Sequence, residues 1–345
     1  MIRFTRLLPI VALAAGMAAP AMARDLTVVS WGGAYQEAQK ALYFDPLRAS
    51  GLPMHDESWD GGIGVLRAKV EGGDSSWDVV QVESEELALG CEENLFEPLN
   101  WDAIGGRDAY LPAAVSDCGV GAIVYNFILG YDGDKFADGP KSWADFWDVK
   151  KFPGKRALRQ GPKTNLEIAL MADGVAPADV YKVLATPAGV DRAFHKLDEL
   201  KPNLVWWTAG AQPAQMLAAG EVAMTTAYNG RISAANATDK KNFKIVWNGS
   251  LYTIDSWVIL KGSPNVEAAT KFLAYMGKPE NQAKLPTKIT YGVTNKAATP
   301  LIPAEYLPGL PTNPANLSQA IPLNDSFWID NIDSLTERFN TWAAK

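Results

Sequence analysis

Histidine and cysteine are nearly missing from this 345-residue chain, at two residues each. His55 and His195 lie far apart, and neither has a second ligand-type side chain at the spacing that a metal site uses, so neither metal nor cofactor is expected. The motifs of common chemistries are missing as well. There is no Gly-x-Ser-x-Gly elbow, no phosphate-binding Walker loop and no His-Glu-x-x-His pair. The run GGIGVLRAK from Gly61 lacks the third glycine of a dinucleotide loop. DGDKFADG, from Asp132, puts Phe136 in an acidic slot of a calcium loop, and no glutamate follows at the required distance. The pairs Glu85-Glu86 and Glu92-Glu93 read as solvated helix faces. With no nucleophile beside a base, a hydrolase or lyase is the weaker alternative, and the chain reads as a protein that is not an enzyme.

Long apolar runs are also scarce. The one at the start, in MIRFTRLLPIVALAAGMAAPAMA, follows Arg3 and Arg6 and ends on the small-x-small triplet Ala21-Met22-Ala23. That is the layout of a secretory signal peptide cleaved after Ala23, and the run is short and alanine-rich for a membrane span. Without Arg3 and Arg6 the 32 basic residues become 30, against 39 acidic ones, a net charge of −9. A basic stripe is absent, which argues against nucleic acid.

Export gives the two cysteines a meaning. An even count in an oxidising compartment predicts a Cys91–Cys118 disulfide, with two buried thiols as the alternative. Closing that loop of about 28 residues would stabilise the chain by roughly 3–4 kcal/mol in the chain-entropy model.

Tryptophan, by contrast, is plentiful, with 12 residues, enough for some to line a pocket besides filling the core. The residues after Arg24 alternate strand and helix. DLTVVSW, WDVVQVES, KRALRQG, NLVWWT and EVAMTTAYNG read as strands. AYQEAQKALYFDPLRAS, EELALGCEENL, TNLEIALMADG and VDRAFHKLDELKP read as helices, and SWADFWD opens one with a Ser-x-x-Asp cap. FKIVWNGSLYTIDSWVILKG reads as two strands flanking a polar segment. This order predicts an α/β protein of two lobes that exchange strands more than once, with a ligand in the crevice at strand ends.

In TAYNGRISAAN, Arg231 stands where a strand turns into a helix, an end that already carries positive partial charge. A cation there is poorly placed for stability and well placed for an anionic guest.

Several segments, in order, resemble the periplasmic solute-binding proteins of ABC importers, in the branch with the spermidine/putrescine receptors. They are VVSWGGAY, WDVVQVES, SWADFWDVKKFPGK, GEVAMTTAYNGR, YTIDSWVILKGSPNVEAATKFLAYM and KITYGVTN. The resemblance implies a two-lobed clamp of type II with two crossovers and a disulfide near the first lobe. The expected boundaries are residues 24–127 with 256–300, and 128–255 with 301–345, after a signal peptide of 1–23. It further implies a periplasmic monomer that hands a small zwitterionic or cationic solute to a membrane permease.

The family's polyamine receptors cradle aliphatic chains between aromatic rings and hold ammonium ends with carboxylates. Carried over by position, Trp31, Tyr228 and Tyr291 are pocket aromatics, and Asp255 is the amine-binding carboxylate. Trp207 and Ser84 are further candidates, Ser84 because it follows Glu83 at a strand end. The chain departs from that pattern at Gly161, Lys163 and Thr164, where acids would take distal amines. It departs also at Gly33 and Arg231. An ammonium about 5 Å from a guanidinium is repelled by roughly 3 kcal/mol at an effective dielectric near 20, more than a hundredfold in affinity. A carboxylate would instead gain a forked pair. The expected guest is therefore a short ω-amino acid such as 4-aminobutyrate, its carboxylate on Arg231 (Arg159 being the alternative) and its amine on Asp255. A polyamine is the alternative guest.

Overall fold

The computed structural model describes residues 24–74 and 76–345, so the signal-peptide reading lies outside the described residues. Among the described residues, nine strands form one continuous hydrogen-bonded sheet. They are β1 (Leu26–Ser30), β2 (Met54–Ser58), β3 (Val79–Val82), β4 (Gly119–Asp132), β5 (Arg156–Arg159), β6 (Leu204–Trp207), β7 (Met224–Tyr228), β8 (Phe243–Ile259) and β9 (Ile321–Pro322). The order is β2-β1-β3-β8-β4-β7-β5-β6, with β9 beside β8. β1 pairs in parallel with β2 and β3, and β5 in parallel with β6 and β7. Between these two parallel sets, β4 and β8 run antiparallel to each other.

β8 has 17 residues and at about 3.4 Å per residue spans close to 60 Å. The polar NGSLYTIDS segment does not divide it. Ser250 Oγ accepts from Asn126 Nδ2 at 2.7 Å and Thr253 Oγ1 donates to Ser84 Oγ at 2.9 Å, so its hydroxyls have partners inside the fold.

Among the described residues, two large apolar cores lie along these shared strands, with a smaller one around Val29, Val80 and Val258. One of the large cores gathers Val28, Tyr43, Phe44, Trp257 and Phe272, drawing on the helix Val266–Met276 and on helical turns between Gly33 and Ala49. The other gathers Phe127, Phe146, Leu170, Trp207, Trp328 and Phe339. Ile302 and Leu310 pack with Ala283, Val293 and Ala298, away from the second core.

The local signals hold where the chemistry is short-range. Ser142 Oγ accepts from Asp145 N at 3.3 Å and caps the helix Trp143–Trp147. Cys91 and Cys118 are disulfide-bonded, with Cα atoms 6.0 Å apart, tying the end of the helix Ser84–Glu92 to the approach to β4. Glu85 and Glu86 are buried, against the solvated face that their adjacency suggested.

Candidate functional site

Strand alternation sets the cavity wall. Ile123 and Tyr125 lie two apart on β4 and so face the same way, and Ile123 pairs across to Asp255 on β8. All three line one cavity between the two larger cores, together with Trp31, Tyr228, Arg231 and Tyr291. The rings buttress one another. Trp31 stacks on Trp59 at 5.3 Å and 17°, Tyr35 meets Tyr291 edge-on at 5.2 Å, and Tyr125 meets Tyr228 edge-on at 5.4 Å. Such a wall covers methylenes and attracts cations.

Arg231 is the third residue of the helix Asn229–Asp239 and only 4% exposed. It does not pair with Asp255. Its Nη1 donates to Gly32 O at 2.7 Å and its Nη2 to Trp31 O at 2.9 Å, reaching from the end of β7 to the end of β1. The Nε–H is buried with no partner. Gly33 explains itself here: a Cβ at this residue, where φ is +56°, would stand 2.9 Å from Arg231 Nη1.

Asp255 is equally short of partners. Its Oδ2 accepts from Gln81 Nε2 at 3.4 Å, whereas Oδ1 is buried with none. Burial, then the negative charge of Glu83, lifts its pKa well above the usual carboxylate range, with Lys163 opposing. An ammonium beside it would oppose that shift and favour the charged carboxylate.

A second charged group reaches the cavity through Glu83 and Arg159, which also line it. Glu83 Oε1 accepts from Arg159 Nη1 at 2.7 Å, and Lys163 Nζ lies between Glu83 Oε2 and Glu85 Oε2. Arg159, the alternative carboxylate ligand, thus already has an acid. Lys163, which is not in the lining, directs its charge to Glu83 and Glu85. Glu86 accepts from Glu83 N at 2.8 Å and from Gly62 N, clipping the loop that carries Trp59 and Asp60. Burial and the carboxylates of Glu83 and Glu85 raise Glu86 to about 7.

Of the seven residues singled out from sequence, five line the cavity: Trp31, Tyr228, Arg231, Asp255 and Tyr291. Ser84 and Trp207 lie outside it. Ser84 Oγ donates to Asp325 Oδ1 at 2.6 Å, tying the helix Ser84–Glu92 to the helix Asp325–Ala343. Trp207 is buried behind Tyr228, stacked on Phe127 at 5.8 Å, with Nε1 donating to Thr226 Oγ1 at 3.2 Å. The sequence reading did not anticipate Tyr35, Trp59, Asp60, Ile123, Tyr125 and Thr208 in the lining.

Comparison with known proteins agrees with this architecture. The family model described as bacterial extracellular solute-binding protein matches residues 54–312. A gamma-aminobutyric acid-binding protein of Pseudomonas aeruginosa is 48% identical over 96% of this chain and 95% of its own length. The putrescine-binding periplasmic protein of Escherichia coli K12 is 26% identical over 70% of this chain and 71% of its own. Among solved structures, a PBP from A. tumefaciens B6 in complex with glucopine superposes with a TM-score of 0.87. It is 31% identical and covers 93% of this chain and 100% of that one. A GABA receptor structure gives a TM-score of 0.80 at 33% identity, covering 93% and 98%. The fold is the two-lobed one of the periplasmic binding proteins. A small aromatic-walled cavity between two cores, and a match over more than half its length, lead to one conclusion: the chain belongs to the bacterial extracellular solute-binding proteins.

Proposed function

We propose that this chain is the periplasmic receptor of an ABC importer, that it closes around a short ω-amino acid such as 4-aminobutyrate, and that it passes it as a monomer to the membrane permease. The observation that carries this reading is that the buried polar atoms without partners in the cavity lining, Trp31 Nε1 among them, include a base and an acid. Arg231 Nε is a buried cationic donor and Asp255 Oδ1 a buried acidic acceptor, neither has a partner, and both residues line the same cavity. Buried polar groups are nearly always paired, so two unpaired groups of opposite character call for a guest with both charges. The rings of Trp31, Tyr228 and Tyr291 would cover the methylenes between its ends. The 48%-identical relative named for gamma-aminobutyric acid supports the same solute class.

In this reading the lobes are residues 24–127 with 256–310, and 128–255 with the remainder. The packing of Ile302 and Leu310 on Ala283, Val293 and Ala298 supports proposing 310 in place of the expected 300. Contacts from both lobes favour the closed state and so shift its population.

Titration calorimetry tests the solute. Binding of 4-aminobutyrate is expected at micromolar affinity or tighter, about 8 kcal/mol or more, with putrescine at least about tenfold weaker. Tight putrescine binding with no response to the amino acid rejects the reading and installs the polyamine alternative.

A further inference from the structure

We propose that Ile123, braced by Tyr35, is a partition that sets the longest ω-amino acid the site accepts; this rests on the solute class proposed above. Behind the ligand cavity lies a second, buried cavity of about 20 Å³, room for roughly one water. Its wall is mostly apolar, including Val120, Trp257, Leu273, Met276 and Leu285. The tyrosine hydroxyls on it have partners: Tyr43 Oη donates to Asn281 O at 3.1 Å and Tyr110 Oη to Ile104 O at 3.2 Å. Two residues line both cavities, Tyr35 and Ile123.

They are not equally able to yield. Tyr35 is fixed at both ends, since Gln81 Nε2 donates to its hydroxyl at 2.8 Å and its ring meets Tyr291 edge-on. Ile123 is an apolar side chain 3% exposed, next to a register shift in β4 between Gly121 and Ile123. It pairs with Asp255, so it stands beside the place where the amine end would be held.

A guest pinned at Arg231 and Asp255 has a fixed span. Extra methylenes must bow sideways, and in the native chain the Ile123 side chain fills the path toward the apolar space behind it. Shortening that side chain joins the two cavities and gives the bow somewhere dry to go.

The test is calorimetry of the full mature chain with 4-aminobutyrate, 5-aminopentanoate and 6-aminohexanoate, for the native protein, Ile123→Ala and Ile123→Val. Burial of a methylene is worth about fourfold in affinity, so the Ala variant should raise the 6-aminohexanoate to 4-aminobutyrate affinity ratio by about fifteenfold. Ile123→Val should give a smaller shift in the same direction, and it decides the matter if the Ala variant does not fold. An unchanged ratio in the folded variants, with the native protein binding 4-aminobutyrate, overturns the partition and leaves the function standing. A native protein that binds none of the three overturns the function and the partition with it.

Discussion

Arg231→Ala should weaken 4-aminobutyrate binding at least a hundredfold, a loss of about 3 kcal/mol or more, while putrescine binding holds or improves. Truncating one member of a buried charge pair typically costs 2–5 kcal/mol or more, much of it from the partner left unpaired. A diamine, by contrast, loses a repulsion of roughly 3 kcal/mol when the guanidinium goes. The opposite signs matter, because Arg231 also donates to Trp31 O and Gly32 O, and a merely structural loss would weaken both ligands alike. Arg231→Lys keeps the charge without the fork and should recover only part of the affinity. Calorimetry with both ligands, beside a thermal melt of each empty variant, separates these effects. If Arg231→Ala binds the amino acid normally, Arg159 becomes the carboxylate ligand, and its bond to Glu83 would have to open.

The second large effect belongs to Asp255. Asp255→Asn should lose about a hundredfold in affinity, because the amine's acidic partner becomes a neutral amide. The same change should stabilise the empty protein, increasingly so as pH rises. The sign follows from the raised pKa in the folded state. Above the unfolded carboxylate's value near 4, the unfolded chain has released this proton and the native chain still holds it. Stability therefore falls by about 1.4 kcal/mol per pH unit until the native pKa is passed. Asn removes that slope. Melting the two proteins at pH 5 and pH 8 should show the Asn advantage growing at the higher pH; a constant gap would mean that Asp255 is ionised in the empty site. Ligand binding should likewise release a proton, visible as a calorimetric heat that changes with the ionisation enthalpy of the buffer.

Arg231 was singled out as a cation at a helix start and Asp255 by its position in the family resemblance, and both line the cavity. A cation in a helix's first turn asks for something not nearby in the chain. The aromatic wall was legible only in part. Tyr35 falls on helical spacing with Ala38 and Leu42, which marks a core face, and it is indeed 2% exposed. Being core from one side and wall from the other leaves no trace in periodicity. Ile123 and Tyr125 sit in an unbroken apolar run whose facing direction depends on which strand pairs beside it. β2 went unread because MHDES, mostly polar and at the sheet edge, shows no alternating apolar face. Trp207 followed the rule that adjacent strand residues face opposite ways. It is the inward member, and Trp206 instead meets Phe339 and Trp342. The burial of Glu85 and Glu86 depends on Lys163 and Gly62, partners that only the fold brings close.

β4 and β8 carry a consequence of their own. Because each strand begins in one core and finishes in the other, with register shifts at Gly121/Ile123 and Phe127/Leu129, neither half owns a complete sheet. A fragment ending or beginning near residue 127 would expose a torn edge on both pieces, so the molecule has no autonomous modules to recombine. Grafting one half onto a related receptor would have to carry the paired ribbon across whole.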